Sequence, residues 1–437
     1  MAKPFYFYIL SLGCKINQYE SQQLRQAWSA LGGLETDDPA KADQALINSC
    51  AVTAAALADL RTLTRRLHRL NPSLAVTITG CAAEACCSEL ATLPGVSRIM
   101  PQSGKFELIG SFTGEGRDFR TSVSTPASNL SRQPPITNYP RSRPVVKIQD
   151  GCSRQCSYCI VPLARGPSRS RGFDDILAEI RGFFRQGFGE VVLSGVNLSQ
   201  FGRDLHPSAD FWDLVAFLDA SLASSLAGQA RLRISSLDPS QLESKALGIL
   251  SEAFMVCPHL HLSLQSASPA VLKRMRRFHY HMDSLYEALS KLSEIWPVFS
   301  LGADILVGFP GESEVDFLKT LDACQRLPLS YVHVFPYSKR PGTLAADMTG
   351  QISRADKSAR SKAVRDLVQA KKQSFLRGLT GLDCVNVVMS AGDSTWGMTE
   401  YYVRCRFAKP FNASGAQAVV PARPVGTEGE ALVVKAI

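Results

Sequence analysis

Three cysteines stand close together in the run Cys152-Ser-Arg-Gln-Cys156-Ser-Tyr-Cys159. Thiolates at this spacing on one loop can each bind a different iron of a cubane iron–sulfur cluster. A ferredoxin-type run would add a fourth cysteine nearby, but Ile160, Val161 and Pro162 follow here. One iron is then left for a ligand that is not protein. Structural zinc requires four protein ligands, and no second cysteine pair or histidine stands close by in the sequence. A plain trio of core thiols fits poorly, because a loop that also carries Gly151 and Arg154 is too polar for a core.

A second set is spread along the chain, in Ser11-Leu-Gly-Cys14, Ile47-Asn-Ser-Cys50 and Ile78-Thr-Gly-Cys81. Each cysteine comes at or just beyond the end of an apolar run that reads as a strand. Carboxyl ends of neighbouring parallel strands converge on one crevice, so three sequence-distant thiols can meet there. Scattered buried cysteines are also common, and spacing alone leaves both readings open. Cys86 and Cys87 read as ordinary helix positions rather than a sulfur relay. Cys257, Cys324, Cys384 and Cys405 read as buried thiols.

The elements that must position these residues follow from periodicity. Residues 1–112 alternate strands (5–12, 42–49, 74–79) with helices (17–31, 53–70, 82–90), which predicts a parallel sheet covered by helices. Residues 113–143 are rich in Ser, Pro, Gly and Arg and read as a linker. A second α/β run occupies 144–377, with strands over 145–149, 190–195, 232–236, 261–265, 302–307 and 331–335. Its helices include 174–186, 314–326 and a basic one over 354–377. The order suggests a partial (β/α) barrel with its site on the loops at the carboxyl ends of the strands. Residues 378–437 break into short β runs over 384–389, 401–407, 416–420 and 431–437, with turns at Gly392, Gly397, Gly415 and Gly426. They predict a small β-barrel.

At 437 residues, 45% apolar and 20% charged, the chain is a folded protein of two or three domains, not a disordered or fibrous one. No apolar stretch reaches membrane-spanning length. The start, with Lys3 as its only leading charge and a short apolar run, fails as a signal peptide. A cytoplasmic chain is therefore expected, in which 12 cysteines are metal ligands or buried thiols rather than disulfides. The net charge of +9 hints at a polyanionic partner. It is concentrated in residues 132–172 and 339–377 and in Lys273-Arg-Met-Arg-Arg277, which together fit a phosphate backbone.

The cysteine loop after the first strand of a β/α run resembles the radical S-adenosylmethionine (SAM) superfamily. A wider set of runs resembles the methylthiotransferases within it, over essentially the whole chain. These are Ser11-Leu-Gly-Cys-Lys-Ile-Asn-Gln-Tyr-Glu-Ser21, Asn48-Ser-Cys-Ala-Val-Thr53, Lys147-Ile-Gln-Asp-Gly-Cys152, Arg165-Gly166, His261-Leu-Ser-Leu-Gln-Ser266, Val307-Gly-Phe-Pro-Gly-Glu312 and Pro336-Tyr-Ser-Lys-Arg-Pro-Gly-Thr343. The resemblance implies two [4Fe–4S] clusters and S-adenosyl-L-methionine. An auxiliary cluster on Cys14, Cys50 and Cys81 would carry the sulfur to be inserted. The cluster on Cys152, Cys156 and Cys159 would chelate SAM and cleave it to a 5′-deoxyadenosyl radical. Tyr158 and Gly308 are then expected near the adenine, Gly195 near the methionine amino group, and Arg233, Ser235 and Gln265 on the carboxylate and ribose. No catalytic residue beyond the cluster ligands is expected, and Asn197 and His261 have no role that can be derived.

The resemblance also implies a carboxy-terminal TRAM-like, RNA-binding barrel. That barrel has five basic and five acidic residues from Gly378 on, so its RNA contacts would rely on shape and on stacking by Tyr401, Tyr402 or Phe407. The family has branches acting on isopentenyladenosine in tRNA, on N6-threonylcarbamoyladenosine in tRNA and on an aspartate of a ribosomal protein. Residues 13–21 and 333–340 look most like the threonylcarbamoyladenosine branch. Its implied reaction is 2-methylthiolation of the adenine next to the anticodon. The implied partners are the tRNA anticodon stem-loop and an electron donor such as flavodoxin or ferredoxin. A non-catalytic RNA-binding iron–sulfur protein is the alternative from another class.

Overall fold

The computed structural model describes residues 5–109, 136–137, 139–410 and 418–437. Most of the expected linker, the turn at Gly415 and the first part of the expected strand over 416–420 lie outside the described residues. The chain forms two compact units that do not follow chain order. The first takes residues 1–138, 150–171 and 338–343, and the second takes 139–149, 172–337 and 344–437. The loop of Cys152, Cys156 and Cys159 thus groups with the amino-terminal unit, whereas the sequence boundaries assign it to the domain over 144–377.

In the first unit a five-stranded sheet runs in the order Leu34–Glu35, Tyr6–Ser11, Gln44–Ser49, Ala75–Gly80, Val96–Ile99, with every pair parallel. The expected inner strands are present. The edge strands, two and four residues long, were too short to stand out as periodic runs. Helices bury both faces, as a parallel sheet requires. Phe7, Ile9 and Leu46 pack with Leu24 and Trp28 of the helix Lys15–Ala30. Ala45, Ile47, Val76 and Ile78 pack with Leu57, Leu60 and Leu67 of the helix Ala54–Leu70, whose first turn is capped by the Thr53 hydroxyl. The helix expected over 82–90 is broken at Cys86 into Cys81–Ala85 and Cys87–Leu90.

In the second unit Val145–Asp150, Glu190–Gly195 and Arg231–Ile234 pair in parallel. A second parallel sheet orders Ser236–Leu237, His259–Gln265, Ser300–Val307 and Leu329–Pro336. The strand expected over 232–236 is interrupted at Ser235, where one sheet gives way to the other. After the helix Arg354–Leu379 comes a closed barrel ordered Val385–Met389, Trp396–Thr399, Arg404–Phe407, Ala431–Ala436, Val419–Glu428. Its core contains Val385, Val387, Cys405, Phe407, Leu432 and Val434. Gly397 is not a turn residue. It sits within a strand, where a Cβ would collide with Val387. Gly426 lies at a bulge inside the strand Val419–Glu428. No helix among the described residues is long and apolar enough to cross a membrane.

Candidate active site

The register of the first sheet sets its strand ends level. Ser11 lies beside Asn48, Asn48 beside Thr79, and Ser49 beside Gly80. The residues just beyond are Cys14, Cys50 and Cys81, so the topology brings together the thiols that the sequence separates. Gly13 adopts φ +98°, and a Cβ there would stand 2.6 Å from the Cys50 Cβ; Gly80, at φ +93°, would collide with Ser49 O. Only glycine allows both turns to close this tightly. Asn17 Nδ2 donates to Leu12 O at 2.8 Å and Ser49 O at 2.9 Å, pinning two of the three strand ends to one helix. Burial pushes the Cys50 thiol up to about 11, and the nearby Cys81 and Cys14 thiols push the same way. Burial likewise raises Cys81, against the pull of Arg165 and Lys105. Thiols held this way ionise when a metal supplies the countercharge, and three soft donors suit iron–sulfur ligation.

Arg165 joins the two cysteine sets. Its side chain is 2% exposed. Nε donates to Cys81 Sγ at 3.3 Å, and one terminal nitrogen donates to Asp150 Oδ1 at 2.7 Å and Glu20 Oε1 at 3.0 Å. The other donates to Asn17 Oδ1 at 2.5 Å and Glu20 Oε2 at 3.2 Å. Lys105 Nζ completes the network on Glu20 Oε2 at 2.6 Å and Asn48 Oδ1 at 3.0 Å. Two cations and two carboxylates therefore balance in the interior, as buried charge requires. Asp150 precedes the Cys152–Cys159 loop and Arg165 follows it, so the loop is tied at both ends to the thiol-bearing strands. Within the loop Gly151 has φ +70° and leaves no room for a Cβ against Pro167 O. Cys152 N donates to Gly166 O at 3.0 Å, and Cys159 N to Cys156 O at 3.1 Å. Tyr158 is half-buried in this loop. Sequence reading singled out the Arg165-Gly166 pair without a role for it.

The expected SAM contacts in the second unit divide. Gly195 ends its strand, where a Cβ would stand 2.8 Å from Leu198 Cδ2 and 2.9 Å from Gln149 Oε1. Gln149 Oε1 also accepts from Asn197 N at 2.9 Å. Ser235 Oγ is buried at the break between the sheets with no hydrogen-bond partner among the described residues. Gln265 ends its strand at φ +64°, a conformation that costs energy for a non-glycine residue and clusters at functional sites. Gly308, at φ +70°, donates its N–H to Glu312 Oε2 at 2.6 Å. An orphaned hydroxyl and a close-packed glycine at strand ends suit a polar nucleotide ligand.

Arg233 departs from expectation. Its guanidinium donates to both Glu190 oxygens at 2.6 and 2.9 Å and to the carbonyls of Glu400 and Thr399 at 2.8 and 3.0 Å. Those bonds commit it to anchoring the carboxy-terminal barrel rather than to SAM. Arg231 does the same through Glu190, Asn386 O and Met398 O. Sequence offered no sign of this, because the acceptors are backbone carbonyls about 155–167 positions away.

The basic runs are also partly structural. Arg277 is buried on Asp238 and Ser263 O, and Arg274 reaches Gly311 O, which leaves Lys273 and Arg276 exposed in that cluster. In the long helix, Arg360 pairs with Glu312 and Lys371 caps the carbonyls of Cys324, Gln325 and Leu327. Of the aromatics expected to stack on RNA, Phe407 is core. Tyr402 is packed among His259, Tyr331, Arg143 and Arg233, and Tyr401 meets Phe375.

Residues 6–100 match the family described as Uncharacterized protein family UPF0004, and residues 146–324 match the Radical SAM superfamily. The chain is 33% identical over 371 residues to the Threonylcarbamoyladenosine tRNA methylthiotransferase MtaB of Bacillus subtilis (strain 168), covering 83% of this chain and 79% of that protein. It is 30% identical over 393 residues to the tRNA-2-methylthio-N(6)-dimethylallyladenosine synthase of Thermoanaerobacter sp. (strain X514), covering 86% and 81%. Among solved structures, the radical S-adenosylmethionine methyltransferase TsrM from Kitasatospora setae, with cobalamin and a [4Fe-4S] cluster bound, matches with a TM-score of 0.58 at 15% identity. That match covers 79% of this chain and 77% of the other. At that identity the likeness is one of fold.

Proposed function

The chain belongs to the radical S-adenosylmethionine methylthiotransferase family, and from that premise we propose that it converts N6-threonylcarbamoyladenosine next to the anticodon of tRNA to its 2-methylthio derivative. The observation that carries the reading is the meeting of Cys14, Cys50 and Cys81 at level strand ends, bound through Arg165 to the loop of the other three cysteines. Such a pairing fits an enzyme that must make a radical and deliver sulfur. Relatives named for the threonylcarbamoyl substrate at 30–33% identity support the branch.

The two proposed [4Fe–4S] clusters with SAM would supply a 5′-deoxyadenosyl radical and the inserted sulfur. A radical is needed because C2–H of an adenine is not acidic enough for any side-chain base. The chain's own residues do the rest. Cys152, Cys156 and Cys159 would hold one cluster, with no fourth cysteine in the loop. Cys14, Cys50 and Cys81 would hold the other. Asn17 and Arg165 keep the strand ends and loop in register. Roles in binding SAM are proposed residue by residue for Tyr158, Gly195, Ser235, Gln265 and Gly308. An external donor such as flavodoxin or ferredoxin supplies the electron.

The test is mass spectrometry of tRNA nucleosides after incubation with anaerobically reconstituted protein, SAM and a reductant. 2-Methylthio-threonylcarbamoyladenosine is the expected product. A methylthio derivative of isopentenyladenosine would move the branch. Deoxyadenosine without a modified nucleoside would point to a protein substrate. Neither product, with both clusters shown intact, would favour an RNA-binding protein.

A further inference from the structure

One side-chain set in the second unit is used by none of this. His261, Asp304 and His333 come from the neighbouring parallel strands His259–Gln265, Ser300–Val307 and Leu329–Pro336, where Asp304 pairs in register with His333 and His261 with Gly302. His261 Nε2 lies 2.9 Å from Asp304 Oδ1, and His333 Nδ1 lies 3.3 Å from the same oxygen. One ligand atom from each residue falls within 4.8 Å of the others. Side-chain exposure rises from 8% at His261 through 20% at Asp304 to 56% at His333, so the set is anchored at one end and accessible at the other.

A second observation concerns the far nitrogen of His261. Nδ1 lies 3.0 Å from the Tyr331 hydroxyl, which also lies 2.8 Å from His259 Nε2. The Tyr331 ring occupies space that any Cβ at Gly302 would fill, so the glycine keeps the hydroxyl on His261. Metal-ligating histidines characteristically have such a partner on the other ring nitrogen, which fixes the tautomer and turns the lone pair toward the ion. If His261 Nδ1–H donates to Tyr331, Nε2 offers a lone pair. If Nε2–H donates to Asp304, the set is only a hydrogen-bonded chain.

We propose that His261, Asp304 and His333 bind one divalent d-block cation, with Tyr331 orienting His261. Two imidazoles and one carboxylate on one face, with the remaining positions open, are the donor set of such ions. The remaining positions would take oxygen ligands, water or a carboxylate. This site uses none of the six cysteines, and its existence does not depend on which nucleoside is modified.

The experiment uses the full chain with both clusters loaded and verified by iron and sulfide analysis. It is titrated anaerobically with Mn2+, and free Mn2+ is read by electron paramagnetic resonance. One Mn2+ per chain should be taken up, and Zn2+ should displace it, as expected from the order of divalent affinities. His333→Ala, at an exposed position, and Asp304→Asn should each weaken uptake at least tenfold. Tyr331→Phe should weaken it about 10–100-fold without abolishing it. Cys384→Ser, a substitution at an exposed thiol, should bind as the parent does. No uptake by the parent chain, or unchanged uptake by a correctly folded, cluster-loaded His333→Ala protein, would overturn the proposal and leave the set a hydrogen-bond network.

Discussion

Arg165 touches a thiol, two carboxylates and an amide at once, so its loss has two separable consequences. Arg165→Met leaves Asp150 buried without its cation and Glu20 with Lys105 alone, and should cost about 3–5 kcal/mol, read as a lower thermal midpoint of the full chain. Arg165→Lys keeps the charge but loses the Nε donor to Cys81. With one hydrogen bond fewer to the Cys81 sulfur, the reduced form of the proposed auxiliary cluster would be less stabilised, and its potential should fall in a redox titration. The cysteines themselves separate the two proposed clusters. Cys152→Ala should abolish both deoxyadenosine and the methylthio product. Cys50→Ala should leave deoxyadenosine release and stop thiolation. Thiolation surviving in either variant would defeat the ligand assignment.

The turn glycines are what allow the strand ends to hold thiols. Gly13→Ala and Gly80→Ala force a Cβ into positive-φ positions already filled by Cys50 or by Ser49 O. The local backbone penalty alone is about 1–2 kcal/mol. The expected outcome is a folded protein with roughly half the iron of the parent, because only the loop cluster assembles. Full iron loading in both variants would show that the three strand ends do not act as one ligand set. The broken helix after Cys81 obeys the same constraint. Cys81 is the first residue of a five-residue helix, and the chain must turn again at Cys86 to return to the sheet edge at Val96–Ile99.

Within the second unit, the carboxy-terminal barrel is joined to the parallel sheet by charge. Glu190 is buried between Arg231 and Arg233, which also donate to backbone carbonyls of the barrel. Burial alone would raise the Glu190 carboxyl, but the two arginines hold it far below the ordinary carboxylate range. The depressed value means that its stabilising contribution is complete above the unfolded value of about 4.3 and is lost as the pH falls below it. Thermal unfolding followed from pH 7 to pH 3 should show this loss. Glu190→Gln should lower stability by about 3–5 kcal/mol at pH 7 and flatten the acid limb, with earlier proteolytic release of the barrel. An unchanged acid limb would mean that other carboxylates dominate.

The sequence alone was enough to read the order of the main elements and to single out the two cysteine sets. Spacing within one loop is a local property, so Cys152, Cys156 and Cys159 stand out as one set, and apolar runs at strand length place Cys14, Cys50 and Cys81 at strand ends. Tertiary structure decided which buried charges meet. Arg165 finds Glu20 145 positions away, and Arg233 finds the Glu400 carbonyl 167 positions away, so one proves central to the thiol site and the other leaves the SAM contacts for the barrel anchor. Likewise Arg277 and Lys371, read as part of a basic surface, turn inward. The pattern along a chain encodes period and spacing. The partner of a buried ion depends on which strand ends the fold sets level, and no local run of residues carries that.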